Sequence, residues 1–153
     1  MKKELTAFLI SMLPLVEIRG GLPVALATGI SPVAAILITV VGNMIPIPFI
    51  LLFIRPVFAY LKKHGKIGEI ITKIEKRALS KSGDISKRNI IGLIIFVGIP
   101  LPGTGAWTGA LIAALLDMRI KYAFPAIALG VLIAAVIMTI ISICGISFLQ
   151  WMV

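Results

Sequence analysis

The chain is expected to fold as an all-α integral membrane protein: an inverted repeat of two units, each a re-entrant helical hairpin followed by a transmembrane helix, with an amphipathic cytoplasmic connector helix between them. Three observations lead there. The 153 residues are 59% hydrophobic, against roughly 45–50% in ordinary soluble domains, and the mean hydropathy is +1.12. The apolar residues fall in four blocks, Leu5–Ile30, Pro32–Tyr60, Ile90–Leu116 and Tyr122–Val153, each long enough for the roughly 20 residues that cross a bilayer. Blocks one and three are interrupted near their centres by proline and glycine, and irregular backbone at membrane depth is tolerated only where protein or a water-filled cavity covers it.

Block one carries the break Pro14, Gly20, Gly21 and Pro23, and block three carries Pro100, Pro102, Gly103, Gly105 and Gly109. A block broken at its centre gives two arms of about 10 residues, each about 15 Å long, enough to reach the bilayer midplane and return. Hairpins over 5–30 and 90–116 then begin and end on one side, while helices over 32–60 and 122–152 cross. Each broken block is followed by an intact one, which sets Gly42 of the first half opposite Gly130 of the second, as expected of an internal duplication. The units are 1–60 and 90–153. Four ordinary spans with both termini inside remain the simpler alternative.

Charge sets the expected orientation. Residues 61–89 hold nine bases (Lys62, Lys63, Lys66, Lys73, Lys76, Arg77, Lys81, Lys87 and Arg88) against Glu69, Glu75 and Asp84, which places this connector in the cytoplasm by the positive-inside rule. Its apolar positions Ile67, Ile70, Ile71, Ile74 and Leu79 recur at mostly helical spacing, the pattern of an amphipathic helix on the membrane surface. Headgroup contact explains the bases, and nucleic acid is not an expected partner because aromatic interleaving is lacking. His64 reads as solvated, and Arg55 as reaching for the cytoplasmic interface. A cleavable leader is not expected, because Met1-Lys2-Lys3 leads into an apolar run that contains Glu17 and Arg19 without a small-residue cleavage site.

The candidate chemistry is concentrated at Glu17 and Arg19. An acid and a base inside an apolar block are costly and point to function, although an ion pair can also merely pin two segments together. Glu17 can exchange a proton or a cation, and Arg19 can hold Glu17 ionised or bind an anion through its planar guanidinium. If Glu17 neutralises Arg19 at rest, an arriving phosphate can displace the carboxylate, which then takes a proton. The uncharged segment Pro100–Gly109 offers Thr104 and Thr108 hydroxyls, the Trp107 indole and a helix start whose free N–H groups suit an anion. Asn43, beside Pro46 and Pro48, either lines the site or hydrogen-bonds between helices. Gly105, Gly109 and Ala113, like Gly21, Ala25 and Gly29, also form small-residue faces suited to close packing.

The other chemistries lack their ligands. There is one histidine, no cysteine pair, no phosphate-binding loop motif and no paired carboxylates at useful spacing, so no enzymatic activity, cofactor or metal is expected. Cys144, inside the last block, reads as a small apolar filler.

The segments Leu13–Pro23, which holds Glu17, Arg19, Gly20 and Gly21, and Pro100–Gly109 resemble the small multidrug export protein family. Through it the chain is more distantly similar to the DedA superfamily of membrane proteins. The resemblance covers nearly the whole chain. It implies an inverted repeat of re-entrant hairpins and spanning helices, and flipping of polyprenyl phosphates or other lipids linked to proton motive force, with Glu17 matching the superfamily's acidic residue. Many DedA proteins carry arginines in the second hairpin, whereas this chain has none between Arg88 and Arg119. The expected partners are membrane lipids, an anionic lipid or small-molecule substrate, protons, and further copies of the chain in a homo-oligomer at the cell membrane. Two alternatives stay open: a proton-coupled exporter of cationic drugs, and a non-transporting membrane scaffold.

Overall fold

The computed structural model describes residues 2–62, 68, 72, 85–101 and 103–152. Most of the connector 61–89, including His64, and Pro102 lie outside the described residues, as does the side chain of Arg55. Among the described residues the chain is all-helical: α1 Lys2–Met12, α2 Glu17–Ala27, α3 Pro32–Met44, α4 Pro46–Lys62, α5 Ile85–Gly98, α6 Ala106–Leu115 and α7 Ile120–Met152. Neither broken block is one continuous helix. Residues 13–16 separate α1 from α2, and residues 99–105 separate α5 from α6.

The long helices are the intact blocks. Ile45 keeps α-helical torsions and bonds back to Val41, so α3 passes into α4 with a single turn residue between them. Pro32–Ile54 and Ile120–Gly145, 23 and 26 residues, are long and apolar enough to cross a membrane, and only 28% of each window is buried within the protein. A soluble core helix would be mostly buried. The exposed faces carry large apolar side chains such as Leu37, Phe49, Phe53, Leu132 and Ile140, whereas the fully buried positions are often alanine: Ala7, Ala25, Ala35, Ala106, Ala110 and Ala123. Small inside and large outside is the packing of helices that meet in lipid, where close backbone approach replaces the hydrophobic effect between them.

The short helices pack in a crossed pattern. α2 lies against α1, α3 and α7, and α6 lies against α4 and α7. α1 and α2 run antiparallel, because Gly21 faces Ser11 and the Ala7 carbonyl, while Lys3 Nζ lies 3.5 and 3.4 Å from the carbonyls of Thr28 and Gly29 at the far end of α2. Lys3 thus supplies a cation to a helix C-terminus, where the exposed carbonyls favour one.

In α2–α3 and α6–α7, equivalent caps and glycine crossings lie 88 residues apart (42 to 130, 29 to 117). Thr28 and Leu116 are the C-caps of α2 and α6, with torsions within a few degrees of each other. Gly29 and Asp117 follow with positive φ of 76° and 49°, and Ile30 and Met118 close equivalent bonds to Ala25 and Ala113. Gly42 admits the Phe8 carbonyl of α1, since a Cβ there would lie 2.6 Å from it; Gly130 likewise admits the Ile94 carbonyl of α5, at 3.0 Å. Gly21 faces Ser11 and Ala7, and Gly109 faces Val97 and Leu93. In α1 and α5 the offset is 86 residues (8 to 94), so the second break holds two additional residues.

Candidate functional site

Glu17 opens α2 in a left-handed conformation, φ 50°, that a residue with a Cβ rarely adopts. The turn at 13–16 delivers the chain this way: the Glu17 N–H bonds the Leu13 carbonyl at 2.9 Å, and the side chain leaves the helix start instead of lying along it. Only 3% of Glu17 is exposed. Its carboxylate lies on the first turn of α6, where Oε2 accepts from the Ala106 N–H at 3.2 Å and Oε1 from the Trp107 N–H at 3.0 Å. The first N–H groups of a helix have no intrahelical acceptor, and the helix dipole adds to their pull on an anion. The helix start expected to offer open N–H groups is therefore filled by the chain's own carboxylate.

Gly105 makes this approach possible. It is the N-cap of α6 with φ 137°, and a Cβ built there would overlap the Glu17 carboxylate, with Cδ at 2.7 Å and Oε1 at 2.8 Å. No other residue fits both that torsion and that contact.

Arg19 faces the same break. Its Nη1 lies 3.7 Å from Glu17 Oε2 and also donates to the Thr104 carbonyl; Nη2 donates to Thr104 Oγ1 at 2.5 Å and reaches the Ile99 carbonyl at 3.4 Å. The Thr104 hydroxyl lies 2.8 and 2.9 Å from the carbonyls of Ile99 and Leu101, so the guanidinium and the hydroxyl together gather the loop 99–104. Arg19 is thus chiefly a clamp on the second break, and its contact with Glu17 is the longer one. Arg19 Nε and Trp107 Nε1 are buried without a hydrogen-bond partner among the described residues.

The remaining candidates divide. Thr104, Trp107, Glu17 and Arg19 come together, and Thr108 stays within its own turn, its hydroxyl 3.3 Å from the Gly105 carbonyl. Asn43 is fully buried on α3, and neither amide atom has a partner among the described residues. The breaks are narrower than the Pro/Gly runs suggest. Pro14, Pro100, Gly103 and Gly105 lie in them, whereas Gly20, Gly21 and Pro23 lie inside α2 and Gly109 inside α6, and Gly21 and Gly109 admit the neighbouring helices. The free N–H groups of a helix start near Gly105 were expected from the sequence; the Ile99 carbonyl as a partner of Arg19, and Glu17 as the anion on those N–H groups, were not, because a backbone carbonyl has no signature in residue type.

Fold and site together define a class: an all-helical membrane protein in which two broken helix pairs meet around one buried acid. A family model covers residues 17–137, well over half the chain. The chain belongs to the family described as "Putative small multi-drug export protein". Neither a curated protein nor a solved structure matches it.

Proposed function

We propose that the protein is a membrane transporter that moves an anionic lipid, such as a polyprenyl phosphate, with Glu17 as the exchangeable internal anion. The observation that carries this reading is the Glu17 carboxylate seated on the Ala106 and Trp107 N–H groups. A seat that holds a carboxylate beside a guanidinium also suits a phosphate oxygen. When phosphate takes the seat, Glu17 leaves it and gains a proton, which couples lipid movement to protons. The multidrug name of the family favours a second reading, proton-linked export of cationic drugs, in which Glu17 alternates between proton and cation. Arg19, 3.7 Å from that carboxylate, opposes a cation there.

The geometry of transport in this proposal is that of an inverted repeat of re-entrant hairpins. Several features support it. α1 and α2 have 11 residues each and α6 has 10, about 15 Å each and half of a bilayer core, while α5, with 14 residues, reaches about 21 Å. The turn of the first hairpin presents Leu13 and Leu15 outward and that of the second presents Leu101, while Lys2, Lys3, Arg119 and Lys121 cluster at the opposite ends. The shared offset of caps and glycine crossings fits two units of one design, and substrate sites between such units sit near the midplane. A homo-oligomer would supply the rest of a headgroup-sized path.

The test is reconstitution. Liposomes with the protein should move a fluorescent polyprenyl phosphate between leaflets, and Glu17→Gln should lower the rate at least tenfold while the variant stays folded. Proton-linked ethidium efflux without lipid movement would favour the second reading. Full lipid transport by a folded Glu17→Gln variant would remove Glu17 from the mechanism.

A further inference from the structure

Four buried polar or charged side chains stand out among the described residues, Ser11, Glu17, Thr39 and Asn43, and all lie in the first half. Their counterparts in the second half, at the offsets that relate the glycine crossings, are Val97, Gly105, Ile127 and Val131, all apolar or without a side chain. Three of the four are satisfied inside the chain. Ser11 bonds the Ala7 carbonyl at 2.8 Å, Thr39 bonds the Ala35 carbonyl at 2.7 Å, and Glu17 takes the N–H groups of α6. Asn43 is 0% exposed and has no partner for Oδ1 or Nδ2 among the described residues.

The fold does not need an amide at this place. Asn43 follows Gly42, which admits α1; Val131 follows Gly130, which admits α5, and Val131 is buried to the same degree, 1% exposed. A valine therefore serves the equivalent packing position. An unpaired buried amide costs stability, and native chains keep such a group when something outside the chain satisfies it. Asn43 also lies midway along the candidate span Pro32–Ile54, eleven residues from each end, which is the depth at which repeat-built transporters hold their substrates.

We infer that Asn43 is a substrate-contact residue, and that its amide serves a hydrogen-phosphate headgroup, with Nδ2 donating to a phosphate oxygen and Oδ1 accepting from the P–OH. This rests on the transport reading above and narrows its substrate class. A fully ionised phosphate or a sulfate has no donor for Oδ1, and a quaternary ammonium has neither donor nor acceptor for the amide. Because Asn43 is closed off in this conformation, the contact forms once the Glu17 seat on α6 opens and the helices around α3 separate.

The experiment compares wild type with Asn43→Val in two measurements, thermal unfolding in detergent with and without a polyprenyl monophosphate, and movement of the fluorescent lipid in liposomes. Without lipid, Asn43→Val should unfold at the wild-type temperature or about 2–4 °C above it. With lipid, the wild-type midpoint should rise and that of the variant should not, and variant transport should fall at least tenfold. Asn43→Val unfolding several degrees lower without lipid would reveal an internal partner and overturn the inference. Wild-type transport that persists undiminished in a folded variant would overturn it while leaving the transport reading intact. A wild type that neither moves nor is stabilised by the lipid would overturn both.

Discussion

The first and second helix pairs are built to one plan and differ in what they contribute. α1–α2 brings a carboxylate, a guanidinium and the buried Ser11 hydroxyl; α5–α6 brings backbone N–H groups, carbonyls and one threonine hydroxyl. The pairs are complementary because their polar groups differ. If position 105 held an acid like Glu17, two carboxylates would meet at the centre; with glycine there, the second pair can receive the first pair's anion. Two similar helix pairs thus yield a directional site when charge is confined to one pair and backbone donors face it from the other.

This contrast can be broken most severely at Gly105. Gly105→Ala adds a Cβ onto the Glu17 carboxylate at a torsion hostile to it, and should cost at least about 3 kcal/mol, seen as a large drop in the unfolding temperature or in folded yield. Next in size is Arg19→Lys. A point charge cannot hold the Thr104 carbonyl, its hydroxyl and Ile99 together, so a loss of about 1–3 kcal/mol is expected, read by thermal unfolding. The crossing glycines sharpen the comparison between halves. Gly42→Ala meets the Phe8 carbonyl and Gly130→Ala meets the Val97 Cβ and the Ile94 carbonyl, none of which a side-chain rotation can move, so each should cost about 2 kcal/mol. Smallest is Gly29→Ala, with φ 76° but nothing within 4 Å, expected to cost about 1 kcal/mol in a denaturation series.

Topology has a separate check. With Cys144 replaced, an Arg119→Cys probe should label from the cytoplasmic side and a Ser31→Cys probe from outside if the hairpins are re-entrant. Four ordinary spans would put both outside.

Much of this architecture is legible in the sequence. The helical class, the two long apolar helices and the interruption of blocks one and three follow from hydropathy and from proline and glycine placement. The register is not legible across the breaks, because the second break holds two more residues and an insertion among prolines and glycines leaves no mark in the hydropathy pattern. At the site, residue types pointed to Glu17, Arg19 and Thr104. They could not reveal that Arg19 spends itself on Thr104 and Ile99 while the acid sits on α6, since carbonyl and N–H groups are common to every residue.

The alanine-lined interior has a consequence for how this chain tolerates change. In a water-soluble protein the surface accepts most substitutions and the core accepts apolar ones of similar size. Here the outward leucines, isoleucines and phenylalanines should interchange freely as long as they stay greasy, while Ala7, Ala35, Ala106 and Ala110, each 0% exposed, should reject even one added methyl group. A mutational map of this protein would look like a soluble protein's map turned inside out.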